Sequence, residues 1–128
     1  MFEDLIALFA QRPTIKFTLE RDLLRVLPHT SDEYEAVIRQ ARTGEYTVWL
    51  DSWHEEFQEY PPARDCFLFG LSDRCRIKVF KKASFRFRWV LEYRNGAEWI
   101  EDSSTMLLFY PFWRKTTFQY LTNNSLND

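Results

Sequence analysis

The segment from residue 46 to residue 57, YTVWLDSWHEEF, holds the densest group of side chains that could perform chemistry. It places Asp51, Trp53, His54 and Glu55 close together in the chain. A histidine beside carboxylates can exchange protons near neutral pH, and the same residue types can hold a polar ligand. We therefore predict a ligand-binding site formed by these four residues, with His54 and Asp51 as its central pair.

The same segment has two alternative interpretations. The HEE sequence lacks the two-histidine HExxH spacing, and the two His and two Cys of the chain are scattered, so we predict no metal and no cofactor. Alternatively, Asp51 or Ser52 caps a helix, and Glu55 and Glu56 lie in its first turn. That arrangement makes the segment a buried strand running into an acid-rich capped turn, with no activity required.

A second candidate site is the turn after Pro111, formed by Phe112, Trp113 and Arg114. Turns usually consist of small polar residues, so aromatic residues in a turn either fold back onto the core or are presented to a partner. Trp and Arg are the commonest energetic anchors of protein interfaces. These three residues are therefore the predicted partner-binding site.

Signals for catalysis are weak along the whole chain. Ser103-Ser104-Thr105 has no GxSxG context and is typical of a turn, and Cys66 lies in an apolar segment where a thiol is inert. Three glycines cannot supply a phosphate-binding loop. These observations favour a non-enzymatic protein.

Nucleic acid is a disfavoured partner. The formal net charge is -2, and the basic segment from Arg74 to Arg88 has its aromatic residues interleaved with the cations. Strand alternation places Phe85, Phe87 and Trp89 on the face opposite Arg86 and Arg88, so these aromatics belong to the core rather than to a base-stacking surface.

Composition indicates one cytoplasmic globular domain over residues 1–128, with 122–128 as a frayed tail. Apolar residues make up 45% and charged residues 28% of the chain, which is typical of globular proteins. No run of about 18 apolar residues is present, so we predict no membrane span. The acidic N-terminus is unlike a signal peptide, and the two cysteines are expected to be buried thiols.

Hydrophobic periodicity predicts a helix over residues 2–12 and another over 63–71. Residues 34–41 fit either a helix or a strand, and the Thr43-Gly44 turn favours a strand in which Ile38 pairs with Trp49 and Arg42 with Glu45.

The C-terminal half is rich in strand signals. Alternation predicts strands over 74–80 and 85–94, and Asn95-Gly96 predicts a type I′ hairpin that pairs Leu91 with Ile100 and Glu92 with Trp99. Further strands are predicted over 106–110 and 116–121. The predicted fold is α+β, a predominantly antiparallel sheet of about eight or nine strands packed with two helices. The order of elements hints at a duplicated helix-plus-meander unit.

Several segments together resemble a set of small uncharacterised bacterial proteins: EYTVWLDSWHEEF, CFLFGLSDRCRIKV, FRWVLEY, and LLFYPFWR followed by YLTN. The resemblance covers most of the chain from about residue 22. It implies a bacterial, cytoplasmic protein and a strand at 34–41, but no activity, because none is known for the set.

The expected function is therefore a non-enzymatic binding or protein-interaction domain. The alternative is a small ligand-binding protein or enzyme with a polar pocket around Asp51, His54 and Glu55. A pocket that gathers His54 with polar side chains from distant strands would favour the alternative.

Overall fold

The computed structural model describes residues 1–107 and 113–127. Within these ranges the chain forms two α-helices, α1 (Glu3–Ala10) and α2 (Tyr60–Gly70), and a short 3-10 turn at Ser125–Asn127. The strands of the first half are β1 (Phe17–Glu20), β2 (Leu23–Val26), β3 (Ala36–Gln40), β4 (Tyr46–Leu50) and β5 (Trp53–Phe57). Those of the second half are β6 (Cys75–Lys82), β7 (Phe85–Asn95), β8 (Glu98–Met106) and β9 (Thr116–Leu121).

The strands form two antiparallel sheets rather than one. The five-stranded sheet follows the chain order, β1-β2-β3-β4-β5, and the four-stranded sheet has the order β8-β7-β6-β9. The predicted α+β class is confirmed. The two halves differ in topology, because the first is a simple meander whereas β9 returns to pair with β6, so the described elements do not form a duplicated unit.

Helix α2 packs against strands of both sheets. Its inward side carries the buried residues Ala63, Phe67 and Gly70. Gly70 allows a close approach to β4, because a Cβ atom there would lie 2.4 Å from Leu50 Cδ2. The hydroxyl of Tyr34 donates a hydrogen bond to the Gly70 carbonyl in the same buried region. The glycine near the end of this helix therefore permits close helix–sheet packing.

The β3–β4 hairpin confirms the strand prediction for residues 34–41 but corrects its register. Ile38 pairs with Val48 rather than Trp49, and Ala41 pairs with Glu45 through a 2.8 Å backbone hydrogen bond. The loop has three residues ending at Gly44, whose φ of 104° supplies the positive-φ position that such loops need. Because side chains alternate, a one-residue shift reverses the face of every partner.

The β7–β8 hairpin also differs from its prediction. Asn95 pairs with Glu98, so the two loop residues are Gly96 and Ala97, and the partner of Ile100 is Tyr93 rather than Leu91. Of the loop residues only Gly96 has a positive φ, 65°, which is typical of a type II′ turn and not of the predicted type I′. Between the turn and Glu92 the pairs shift by two residues, and a β-bulge between Leu91 and Glu92 then places Leu91 opposite Ser103.

The C-terminal segment is packed, not frayed. Asn123 and Ser125 are buried, and the Asn123 side-chain amide donates a 2.8 Å hydrogen bond to the Tyr34 carbonyl. Leu126 packs against the core, and its carbonyl accepts a 2.7 Å bond from Arg12. The prediction of a frayed tail is therefore wrong for residues 123–126, because these polar groups find buried partners.

The predicted strand at 106–110 lies mostly outside the described residues; Met106 ends β8 and is exposed. None of the helices in the described ranges has the length and apolar character needed to cross a membrane.

Candidate functional site

The segment that opened the sequence analysis forms a tight hairpin. Leu50 pairs with Trp53, so Asp51 and Ser52 are the two loop residues, and Asp51 has a φ of 57°. Asp is one of the few non-glycine residues that tolerate this conformation. The residues after the loop form strand β5, so the predicted helix cap is wrong. In that strand alternate side chains point to opposite faces of the sheet.

Asp51 links the two sheets. Its carboxylate accepts a 2.7 Å hydrogen bond from the indole Nε1 of Trp89 on β7. Arg86 lies 3.3 Å from the same carboxylate, with a side chain that is 41% exposed. Among the described residues the Asp51 carboxylate bonds to β7 and not to His54, so the central pair of the predicted site does not form.

Trp53 is a core residue at the junction of the sheets. It is 2% exposed, and its Nε1 donates a 3.1 Å hydrogen bond to Ser103 Oγ. Ser103 lies within β8 and not in the turn that the sequence predicted. The indole is thus satisfied by a residue that is distant in the chain and close in the fold.

His54 lies on the outer face of the five-stranded sheet. Its ring is 6.5 Å from that of its pairing partner Trp49, and its Nδ1 is 3.2 Å from the Ser52 carbonyl. Its backbone N–H donates a 3.4 Å bond to Thr105 Oγ1. The imidazole is exposed and points away from Trp53 and Glu55, because strand alternation separates neighbouring residues.

Glu55 lines a surface cavity of 260 Å³ together with Trp53. Helix α2 contributes Cys66 and Phe69 to the wall. The four-stranded sheet contributes Leu91 and Tyr93 from β7 and Asp102 from β8. Of the four predicted ligand-binding residues, two therefore meet at one cavity, while Asp51 and His54 lie elsewhere.

Cys66 and Cys75 are free thiols; Cys75 is buried, as predicted, whereas Cys66 is half-buried. Burial raises the pKa of the Cys66 thiol from 9.0 to about 12, and the nearby carboxylates of Glu55 and Asp102 contribute to the same direction. Burial likewise raises the pKa of Cys75 to about 12. Thiols of this kind stay protonated near neutral pH and are poor nucleophiles. Across residues 1–107 and 113–127, no three His, Cys, Asp or Glu side chains converge on a common metal position.

The outer face of the four-stranded sheet carries a second arrangement, which we call the cation–aromatic face. Its cations and aromatics share one side of the sheet, opposite the buried residues Cys75, Ile77 and Val79. Its members are Arg76, Lys78 and Phe80 on β6, Arg88 and Arg94 on β7, Trp99 on β8, and Phe118 and Tyr120 on β9.

Arg76 lies at the centre of this face. Its guanidinium carbon is 4.3 Å from the ring centre of Trp99 and 3.9 Å from that of Tyr120. Its Nε also donates a 2.6 Å hydrogen bond to Glu92. Cations stacked on aromatic rings are attracted by the negative face of the π system. Both rings and the charge of Arg76 are therefore engaged within the fold.

Lys78 lies two residues after Arg76 on β6, on the same face of the sheet. Its ammonium nitrogen is 4.3 Å from the ring centre of Phe118 and 5.0 Å from that of Phe80. Phe118 is 55% exposed and Tyr120 is 38% exposed, so these rings remain accessible beside the cations. Large exposed aromatics on a sheet face are typical of interaction surfaces.

The predicted partner-binding turn is only partly described. Trp113 is 70% exposed and Arg114 is exposed; both precede β9. Phe112 lies outside the described residues. Sequence reasoning missed the cation–aromatic face, although alternation in CRIKVF and in TFQYL already placed Phe80 with Arg76 and Lys78, and Phe118 with Tyr120. What the sequence did not show is that β9 pairs with β6.

No protein-family model, curated protein or solved structure matches this chain. The resemblance to small bacterial proteins accordingly stays a prediction.

Proposed function

We propose that this chain is a non-enzymatic protein-interaction domain that binds its partner through the cation–aromatic face. The observation that carries the proposal is the exposure of Phe118 and Tyr120 beside Lys78 and Arg76 on one sheet face. Helix α2 contacts β6, and strand β5 contacts β7 and β8, at the buried side of this sheet. The outer side therefore presents aromatic area and positive charge together.

The chemistry of the face favours a protein segment that carries carboxylates and apolar side chains. Four cations outnumber the two acids of the face, Glu92 and Glu101, which pair with Arg76 and Arg88. Nucleic acid fits less well, because Trp99 already stacks on Arg76 and the carboxylates of Glu92 and Glu101 repel phosphate. The cytoplasmic location predicted from the sequence belongs to this proposal, and the two free thiols support it.

The test compares affinity capture from cells that naturally express the chain, with wild-type protein, Phe118→Ser and Leu19→Ser as baits. Leu19 is a matched control, because it is 51% exposed on β1, in the other sheet, whereas Phe118 is 55% exposed. We expect specific proteins to be enriched with wild type and Leu19→Ser, and at least about tenfold less with Phe118→Ser, as for a truncated interface anchor. Equal enrichment by all three baits, or no specific enrichment with wild type, would contradict the proposal.

A charge reversal separates the classes of partner. Lys78→Glu should weaken capture of the same proteins, because an acidic partner segment then meets a like charge. Oligonucleotide binding by the wild-type chain at low salt that is lost in Lys78→Glu would instead identify nucleic acid as the partner and overturn the protein assignment. Thermal unfolding of each variant checks that the fold is retained.

A further inference from the structure

We propose that the cavity between β5, α2 and the β7–β8 hairpin binds a small apolar amine in its protonated form. This inference is independent of the cation–aromatic face, since the cavity is lined from the opposite, inner side of the four-stranded sheet. At 260 Å³ the cavity is slightly smaller than the roughly 300–1,000 Å³ of most ligand pockets, which limits its occupant to a small molecule.

The walls of the cavity are aromatic and apolar. Trp53 comes from β5, Phe69 from α2, and Leu91 and Tyr93 from β7. Trp53 is held by its hydrogen bond to Ser103, and Leu91 belongs to the buried core, so this part of the wall is built by the fold. Aromatic walls of this kind suit an apolar body and also attract a cation through their π faces.

The charge at the cavity is negative and unneutralised. Glu55 and Asp102 reach the cavity from different strands, and within the described part of the chain neither carboxylate has a hydrogen bond or an ion pair. Other acids of this region are paired, Asp51 with Arg86 and Glu92 with Arg76. Burial is the main cause of the raised pKa of the Cys66 thiol in the cavity wall, and the nearby carboxylates of Glu55 and Asp102 raise it in the same direction.

These features together select the ligand chemistry. Two carboxylates beside an apolar aromatic wall attract a positive charge that carries an apolar group, and they disfavour anions. A neutral molecule of the same shape gains the apolar contact but not the Coulomb attraction. A protonated amine with a short alkyl or aromatic body satisfies both requirements.

The test uses three probes of nearly equal size: phenethylamine, which is a cation, 2-phenylethanol, which is neutral, and phenylacetate, which is an anion. Binding to the full chain is followed by the chemical shift of the Trp53 indole N–H in NMR titrations. We expect phenethylamine to bind at least about tenfold more tightly than 2-phenylethanol, and phenylacetate to bind more weakly than either. Equal affinity for the three probes, or no shift of the Trp53 indole, would overturn the proposal.

Isosteric charge removal locates the binding. Glu55→Gln and Asp102→Asn should each weaken phenethylamine binding about two- to fivefold, as expected for solvent-exposed ion pairs, and leave 2-phenylethanol binding unchanged. Glu56→Gln is the matched control, because Glu56 adjoins Glu55 in β5 and pairs with Thr47 on the opposite face. Both Glu55 and Asp102 are exposed, so the folds of these variants should be intact, which their unfolding midpoints check. If Glu56→Gln weakened binding as much as Glu55→Gln, the attraction would be a general effect of net charge and the site would be refuted.

Discussion

Asp51 is predicted to stabilise the junction between the two sheets through its hydrogen bond to the Trp89 indole. The bond is 2.7 Å long, and Trp89 is 5% exposed. A hydrogen bond to a charged group contributes about 1.5–3 kcal/mol to stability, and an indole left without an acceptor in a buried position adds to the loss. The contact with Arg86 is more exposed and contributes little, because solvent screens it.

Three substitutions at this position separate the contributions of side chain and backbone. Asp51→Asn keeps an oxygen acceptor and tolerates positive φ, so it should cost about 1 kcal/mol, the difference between a charged and a neutral acceptor. Asp51→Gly accepts the φ of 57° but removes the acceptor, so it should cost about 2 kcal/mol. Asp51→Ala removes the acceptor and adds left-handed strain of about 1–2 kcal/mol, for a total of about 3–4 kcal/mol.

Equilibrium unfolding in urea measures these losses as shifts of the midpoint at constant slope. A double-mutant cycle of Asp51→Gly with Trp89→Phe should give a coupling energy of about 1.5–3 kcal/mol, because both changes remove the same hydrogen bond. Arg86→Ala is the control and should cost less than about 0.5 kcal/mol. The reasoning is refuted if Asp51→Gly lies within about 0.5 kcal/mol of wild type or if the cycle shows no coupling.

Three further predictions concern the core. Gly70→Ala should destabilise the chain by about 1–3 kcal/mol in urea unfolding, since the new methyl would lie 2.4 Å from Leu50 Cδ2. Adding Leu50→Val should recover part of this loss. Equal stability of Gly70→Ala and wild type would contradict the prediction, because it would mean that α2 shifts away from β4 without loss of stability. The thiols should leave the free energy of unfolding unchanged well below pH 9 and lower it as the pH rises through 9 towards 12. Burial raises the pKa of Cys66 and Cys75 from 9.0 to about 12, so unfolding in this pH range releases their protons. Cys66→Ala should reduce the slope of the free energy of unfolding against pH, and an unchanged slope would contradict the prediction. Asn123→Ala should lower the free energy of unfolding by about 1–3 kcal/mol in the same assay, because the buried Tyr34 carbonyl loses its 2.8 Å hydrogen bond from the Asn123 side chain. Unchanged stability would instead support a frayed C-terminal segment.

Part of the candidate site was predictable from the sequence and part was not. Trp53 and Glu55 do reach one cavity, but the histidine between them does not, because a strand places neighbours on opposite faces while the predicted helix cap would have grouped them. The acids after Asp51 are as compatible with a helix start as with an edge strand, so local sequence could not decide. The segment forms a strand because β5 pairs with β4 and because Trp53 of β5 bonds to Ser103 of β8.

Hairpin registers show the same limit at a finer scale. The position of each turn was signalled by its glycine, Gly44 or Gly96, because both adopt positive φ. The sequence signalled neither the loop length nor the place of the glycine in the loop. Gly44 ends a loop of three residues rather than two, which shifts that register by one residue. Gly96 is the first and not the last residue of its loop, which shifts the pairs next to that turn by two residues. The choice depends on which partner pairs bury apolar side chains together, and that is set by the rest of the core.

By itself, the sequence determined the α+β class, the turns at Gly44 and Gly96, and the alternating faces of strand β6. The alternation of Cys75, Ile77 and Val79 with Arg76 and Lys78 is local, since a strand has a period of two residues whatever its neighbours are. Only the tertiary structure decided which strands are adjacent, and hence the division into two sheets. It pairs β9 with β6, which forms the cation–aromatic face, and it brings Glu55 and Asp102 to one cavity. Strands and side chains that meet in this way are distant in the chain. Their contacts form because they bury apolar surface together and satisfy buried polar groups with hydrogen bonds. Both effects depend on the whole packed chain, so no single segment of the sequence reveals them.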